Sequence, residues 1–365
     1  MENRIHQLIE QLKKNDLDSV FLTSIANVFY VSNFYTNPHE RLVAVYIDQT
    51  NDPLLIVPAM EMNDAKNAGW KYQMIGYHDH ENVWELIFNH LKNDDKLPST
   101  IGVEYAHLNV ERYHALKDIF PHIELKNVTN ILNHLHVIKS KQEYTLLKQA
   151  ASLADFGIKT GVEAIREGIS ELEIVAKIEY KLKKQGVQQM SFATTVITGA
   201  KTASPHGVPD KTTIDKGDLV LFDLGVVFEG YCSDITRTVA FHSVTEEQEK
   251  IYETVLTAEE KAITAVEIGR PVGELDKIAR DHIATAGYGE YFTHRLGHGI
   301  GIDVHEFPSM HGENDLPLAE GMSFTIEPGI YVPNIGGVRI EDMVFVTAKG
   351  GETLTSYPKD LQIVT

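Results

Sequence analysis

The chain has 365 residues, with 33 Lys and Arg against 52 Asp and Glu, and a formal net charge of −19 at pH 7. That balance excludes a nucleic-acid binder, which needs clustered positive charge to displace counterions, and disfavours a membrane-surface protein with a basic amphipathic face. At 23% charged and 43% hydrophobic residues the material is ordinary globular chain, and its length exceeds what one core serves, so two domains are expected.

In chain order, residues 1–18 lack the apolar stretch and small-residue cleavage site of a leader. They read as an amphipathic helix with Ile5, Leu8, Ile9 and Leu12 on one face. No apolar run approaches the roughly 18 residues of a spanning helix. The single cysteine, Cys232, forms no internal disulfide, so a soluble cytoplasmic protein is expected. Residues 18–23, 42–47, 54–58 and 100–104 read as strands, with helical patterns at 61–68, 82–91 and 110–119 between them. The alternation predicts an α/β layer, and no Gly-rich loop follows any strand to cradle a phosphate. A boundary is placed near residue 137, giving a smaller domain at 1–136 and a second at 137–365.

The second domain opens with a helical stretch from 141 to about 166. Capping boxes at Ser170-Glu-Leu-Glu173 and Thr245-Glu-Glu-Gln248 start two more helices, and 272–286 is a further candidate. Strand-rich blocks lie at 193–198, 218–241, 322–327 and 338–346. Their segregation from the helices predicts an α+β domain with an antiparallel sheet.

Carboxylates stand where those strands should be apolar. Asp is depleted in strand interiors, yet Asp223 and Asp234 each interrupt a β-branched and aromatic run on either side of Phe228-Glu229-Gly230. A turn at Phe228-Glu229 sets the two directly opposite, whereas a turn at Glu229-Gly230 shifts the register; both keep them on one face. Two ionised carboxylates so placed repel unless a cation lies between them. Exposed aspartates paired with a base such as Arg237 are the bland alternative. It weakens because Glu327 ends the apolar strand Phe324-Thr-Ile-Glu and Glu341 interrupts Val338-Arg-Ile-Glu-Asp-Met. Strand alternation puts Arg339 and Glu341 on one face of that segment. His294, His298 and His305 fall in one stretch with glycines at 297, 299 and 301, which are read as backbone freedom that brings His298 close to a partner. His206, in Ser204-Pro-His-Gly207, reads alone as a surface loop.

Four carboxylates and one imidazole suit two divalent ions, whose charge they balance. Such oxygen-rich donors favour Mn²⁺, Co²⁺, Fe²⁺ or Zn²⁺ over thiophilic metals. Two metals about 3.5–4 Å apart with a bridging hydroxide perform hydrolysis, one polarising the carbonyl that the hydroxide attacks. Neighbouring histidines can donate to the developing oxyanion.

The ordered set Asp223, Asp234, His298, Glu327 and Glu341, with its flanking words FDLG, YCSDITRT, GHGIGIDVHE, TIEPGIY and GVRIEDM, resembles the metal set of the pita-bread metallopeptidases. The resemblance implies a pita-bread catalytic domain preceded by a smaller α/β creatinase-type domain. Asn37-Pro-His39-Glu40-Arg41 and His294-Arg295-Leu make the chain most similar to bacterial Xaa-Pro dipeptidases. An Xaa-Pro aminopeptidase acting on longer peptides is the near alternative. A non-catalytic peptide-binding relative is a different class, disfavoured because all five ligands are present. The resemblance implies that Asp223 binds one metal, that Asp234 and Glu341 bridge two, and that His298 and Glu327 complete the second. Glu327 also shuttles a proton, and His206 and His305 line the pocket and stabilise the tetrahedral intermediate. His294, Arg295, Tyr331 and Arg339 take substrate-side positions, with Arg295 a partner for a dipeptide carboxylate. It further implies manganese as the first choice of metal, small peptides with proline second as substrates, a homodimer, and a His39–Arg41 loop that reaches the neighbouring subunit's pocket. Tyr331 could equally be core, and Cys232 between the hairpin aspartates is not oriented by alternation alone; nothing pairs it with a histidine as a nucleophile.

Overall fold

The computed structural model describes residues 1–92 and 97–365, and the chain divides into two compact units, Met1–Leu135 and His136–Thr365. In the first, α1 (Glu2–Lys14) buries Ile5, Leu8 and Leu12, while Ile9 is only partly covered. Strands β1 (Ser19–Leu22), β2 (Ala44–Asp48), β3 (Leu54–Pro58), β4 (Met74–Tyr77), β5 (Thr100–Val103) and β6 (Glu124–Asn127) form one sheet, ordered β4-β3-β2-β1-β5-β6. The pairs β1–β2 and β2–β3 are antiparallel, and β1–β5, β3–β4 and β5–β6 are parallel. Phe21, Tyr46, Ile56, Val103, Ile87 and Leu116 share its core. The sequence reading misses β4 and β6, whose residues are largely half-covered or exposed; β4 is only four residues, Met-Ile-Gly-Tyr, and β6, Glu-Leu-Lys-Asn, carries no apolar run. It also misses the helix Ile25–Ser32, whose β-branched and aromatic content masks the cap in which Ser24 accepts from the Asn27 N–H.

The second unit builds its sheets against four helices, α2 (Lys141–Val162), α3 (Glu171–Lys184), α4 (Glu246–Thr264) and α5 (Val272–Thr285). The first three each open on a reciprocal capping box, Ser140/Glu143, Ser170/Glu173 and Thr245/Gln248. Strands β7 (Gln189–Met190), β8 (Thr195–Thr198), β9 (Leu219–Leu224), β10 (Val226–Phe228), β11 (Tyr231–Cys232) and β12 (Ile235–Phe241) lie before α4. After α5 come β13 (Gly297–Gly299), β14 (Glu306–Met310), β15 (Ser323–Ile326), β16 (Gly329–Val332), β17 (Gly336–Arg339), β18 (Asp342–Thr347), β19 (Gly350–Thr353) and β20 (Ile363–Val364). Two larger sheets result, β20-β12-β9-β8 and β14-β13-β15-β18-β19. All their pairings are antiparallel except β12–β20.

Alternation divides the β9–β12 hairpin into two faces. Val220, Phe222 and Leu224 pack with Ile158 and Ile178 of α2 and α3, whereas Leu219 and Ala240 join the core built with α4 and α5. Asp223, Thr236 and Thr238 share this second parity, so the polar residues project towards the second sheet system.

The structure selects one of the two open hairpin turns and corrects the extent of one strand. The turn falls at Glu229-Gly230, both at positive φ (48° and 83°), and pairs Phe228 with Tyr231. The register therefore sets Asp223 opposite Thr236, and Asp234 lies two residues away on the same face rather than directly across. The 338–346 block is two strands, not one: β17 ends at Arg339, β18 starts at Asp342, and Glu341 between them bridges to Thr236.

Candidate metal centre

Glu341 leaves the ladder at that break. Its N–H donates to the Thr236 carbonyl at 3.1 Å, and its Oε2 accepts from Thr236 Oγ1 at 2.7 Å. Arg237, on the opposite parity, fixes the turn from behind. Its Nη1 donates to the Glu341 carbonyl at 2.6 Å and its Nη2 to Asp342 Oδ1 at 2.7 Å. Arg237 thus pairs with Asp342 and not with the hairpin aspartates. The base beside Asp223 is Arg339, with Nη2 2.5 Å from Oδ2.

β13 carries His298 into the same space. Gly297 and Gly299 serve close approach rather than left-handed backbone: neither has a positive φ, and an added Cβ would lie 2.1 Å from the Thr325 carbonyl oxygen and 2.2 Å from that of Phe307. His298 Nδ1 lies 3.1 Å from the Gly299 carbonyl, which can only accept, so Nδ1 carries the proton. Nε2 then turns a lone pair on Asp234 Oδ2 at 3.6 Å and Glu327 Oε1 at 3.4 Å. These are not ion pairs, because burial pushes His298 down to about 3 and keeps it neutral.

Ligand atoms of Asp234, His298 and Glu341 all lie within 4.8 Å of one another. Burial raises the Asp234 and Glu341 carboxyls well above the usual range, reinforced for Asp234 by Glu341 and for Glu341 by Glu327 and Asp223. Burial likewise pushes Glu327 up to about 7, with Arg339 opposing. Asp223 Oδ1, Asp234 Oδ1 and Glu341 Oε1 are buried without a hydrogen-bond partner among the described residues. Buried carboxylate oxygens left unpaired are costly. A hard divalent cation among the grouped ligand atoms of Asp234, His298 and Glu341 would satisfy such oxygens together with the Nε2 lone pair, so that donor set fits a metal; Asp223 and Glu327 are not among the residues so grouped.

The other expected residues are distributed around this cluster. Tyr331 is buried, but its hydroxyl is not idle core: it accepts from Arg339 Nη1 at 2.9 Å and lies 2.9 Å from His294 Nε2. His294 Nδ1 faces the Arg295 carbonyl at 2.8 Å, so the Tyr331 O–H donates to Nε2. Burial lowers His294 to about 4. Arg295 is half-buried and donates to Ser309 Oγ at 3.0 Å. His305 stands edge-on to His298, with ring centroids 4.1 Å apart. His206 is exposed in a turn closed by the Gly207 N–H on the Ser204 carbonyl at 3.0 Å. Cys232 is turned away from ligation: it donates to the Ile302 carbonyl at 3.2 Å, and burial pushes its thiol up to about 12. In the first unit Arg41 is held by Asp79 through Nε at 2.8 Å and Nη2 at 3.0 Å, next to an exposed His39 at φ 54°.

Sequence reading passes over Thr236, which donates to Glu341 and accepts from Arg339 Nε at 3.1 Å. Its position two after Asp234, on the same strand face, is the signal that could have found it. Asp276 is missed for lack of any such signal. From α5 it accepts from the Leu296 N–H at 3.0 Å and pairs Arg280, which donates to the Phe292 and His294 carbonyls.

Comparison with known proteins agrees with this geometry. Residues 4–138 match the creatinase/prolidase N-terminal domain, and residues 145–348 match metallopeptidase family M24. The protein YkvY of Bacillus subtilis (strain 168) is 51% identical over 362 residues, covering 99% of this chain and 100% of its own. An Xaa-Pro dipeptidase of Lactobacillus delbrueckii subsp. lactis is 41% identical over 362 residues, 99% of this chain and 98% of that one. The crystal structure of the prolidase from Pyrococcus horikoshii OT3 superposes with a TM-score of 0.92 at 36% identity, covering 99% of this chain and 100% of that one. The chain therefore belongs to metallopeptidase family M24 and has the two-domain creatinase/prolidase fold.

Proposed function

We propose that this metallopeptidase hydrolyses Xaa-Pro dipeptides with two divalent cations, manganese in the first place, held by Asp223, Asp234, His298, Glu327 and Glu341. The observation that carries the reading is the buried group of Asp234, the neutral His298 and Glu341, whose ligand atoms lie within 4.8 Å of one another while Asp234 Oδ1 and Glu341 Oε1 have no hydrogen-bond partner among the described residues. Divalent cations bound there supply Lewis acidity towards the scissile carbonyl and hydroxide at neutral pH. Glu327, with its carboxyl near 7, is matched to taking a proton from the nucleophile and returning it to the leaving nitrogen. His305, beside His298, and His206 donate to the oxyanion of the tetrahedral intermediate. The Arg339–Tyr331–His294 chain fixes the pocket wall, and Arg295 takes the free carboxylate of the dipeptide as a charge-assisted partner.

The similarity to the Lactobacillus Xaa-Pro dipeptidase and the Pyrococcus prolidase supports the substrate class. Residues 137–365 form the catalytic domain in this reading, and 1–136 the domain preceding it. The protein works in the cytoplasm as a homodimer, with His39–Arg41 reaching the partner's pocket. A lone cysteine accords with a reducing compartment, and among the described residues no helix is long and apolar enough to cross a membrane.

The test compares initial rates on an Xaa-Pro dipeptide and an Xaa-Pro-Xaa-Xaa tetrapeptide with Mn²⁺ present. The proposal expects the dipeptide to be preferred, and Arg295→Ala to lose dipeptide activity selectively. Preference for the tetrapeptide would identify an aminopeptidase instead, and equal loss on both substrates would remove the carboxylate role of Arg295.

A further inference from the structure

Between His298 and His305 the chain leaves the sheet. Gly299 faces Glu306, the first residue of β14, across a register shift in the β13–β14 pairing. The Ile300 N–H donates to the Ser323 carbonyl at 3.1 Å, and the next backbone N–H groups of the intervening loop need other partners. Glu306 supplies two of them: Oε1 accepts from the N–H of Ile302 at 2.8 Å and of Asp303 at 3.1 Å. Its Oε2 accepts from Lys139 Nζ at 2.8 Å, and the side chains of Lys139 and Glu306 are only 1% and 8% exposed. Lys139 is fixed in turn, donating to the His136 carbonyl at 2.8 Å just ahead of the Ser140 cap. From the other side Cys232 holds the loop through its N–H on the Gly301 carbonyl at 2.7 Å and its thiol on that of Ile302. Space is tight, since a Cβ on Gly301 would lie 2.5 Å from Glu306 Oε2.

His305 sits at the end of this clamped loop. His305 is exposed, and among the described residues its ring makes no hydrogen bond; it stands edge-on to His298, with the charges of Arg295 and Asp223 acting on it. Its place is therefore set by the backbone beneath it.

We infer that Glu306, locked by Lys139, is the positioning residue for His305: its carboxylate holds the 300–305 loop in the shape that sets the His305 imidazole beside the metal-centre histidine. The inference rests on His305 serving the proposed peptidase pocket. Glu306 touches neither substrate nor the reacting atoms, and acts only through the loop.

The test uses the full chain with diamagnetic Zn²⁺ added and histidine labelled at ¹³Cε1, the His305 resonance being assigned by its loss in His305→Asn. In Glu306→Gln, which keeps one acceptor but leaves Lys139 uncompensated, the His305 resonance shifts or splits. On an Xaa-Pro dipeptide kcat falls about 100-fold with KM little changed, as expected for a displaced catalytic group. In a His305→Ala background the same substitution adds no further loss, because coupled residues are not additive. Should Glu306→Gln fail to fold, Gly301→Ala displaces the carboxylate without a change of charge and gives the same readouts. An unmoved His305 resonance in a folded variant, or a loss that multiplies that of His305→Ala, overturns the inference. If the wild type cleaves no Xaa-Pro dipeptide, the functional reading fails, and the resonance still decides the positioning role.

Discussion

Arg339 Nη2 contacts Asp223 Oδ2 at 2.5 Å, while Oδ1 of the same carboxylate is buried without a partner among the described residues. One oxygen is thus neutralised by the protein's own cation and the other is left without a protein donor. Arg339 also donates to Thr236 Oγ1 and the Tyr331 hydroxyl, so one guanidinium ties Asp223 to Thr236 and Tyr331.

Replacing Arg339 with Met removes that cation and strands Asp223. Breaking a buried pair from one side costs about 3–5 kcal/mol, so the metal-free variant melts well below the wild type. Added Mn²⁺ recovers much of the loss, since a bound cation takes over the charge balance of Asp223. Thermal midpoints with chelator and with Mn²⁺ check this; an identical deficit under both conditions would show that Asp223 does not face the metal.

Metal affinity rises with pH through about 7. Glu327 titrates there because burial holds its carboxyl above the ordinary 4.5, and it must lose its proton to ligate. His298, pushed down to about 3, is already neutral and adds no proton release near neutrality. A carboxyl whose folded pKa exceeds its unfolded value binds more protons folded than unfolded between the two. Its contribution to metal-free stability therefore falls as pH rises from about 4.5 through about 7. His298 and His294 act oppositely, adding stability as pH rises towards their ordinary 6.5. The histidine terms arise in the unfolded state that both forms share and cancel in the gap between metal-loaded and metal-free protein, which therefore widens as pH rises through about 7 with the loss of the Glu327 proton. Denaturant titrations at several pH values measure it; a constant gap would contradict the assignment.

Arg237 is 1% exposed and holds the backbone on both sides of the Glu341 break. It also donates through Nη2 and Nε to the Tyr357 carbonyl at 2.7 and 3.0 Å. Arg237→Lys keeps the charge but not the planar fork, so it does not restore these contacts. Both Arg237→Lys and Arg237→Met are expected to lower the thermal midpoint and weaken Mn²⁺ binding, read by calorimetry. A lysine variant with wild-type affinity would remove the link between Arg237 and Glu341.

The proposed metal donors stand out in the sequence because each offends its surroundings: Asp223, Asp234 and Glu341 interrupt apolar strand runs, and His298 stands between glycines. What holds them is hidden. The Arg339–Asp223 contact joins residues 116 apart, and the Lys139–Glu306 pair spans 167, distances that local patterning cannot bridge. The hairpin register turns on whether Phe228 or Gly230 joins Glu229 at the turn, and in the structure Gly230 does, at positive φ. In the first unit, β4 escapes detection because it is four residues interrupted by Gly76, and β6 because it carries no apolar run, although the sheet still pairs their backbones.

The most direct test of the central claim follows proline release from an Xaa-Pro dipeptide while chelated protein is titrated with Mn²⁺ and bound metal is counted. The account predicts no activity in the chelated state and a rate that rises to a plateau as the five-residue site fills, with Glu341→Gln binding less metal and failing to reach it. Full activity without metal, or a filled site that cleaves no Xaa-Pro dipeptide, would contradict it.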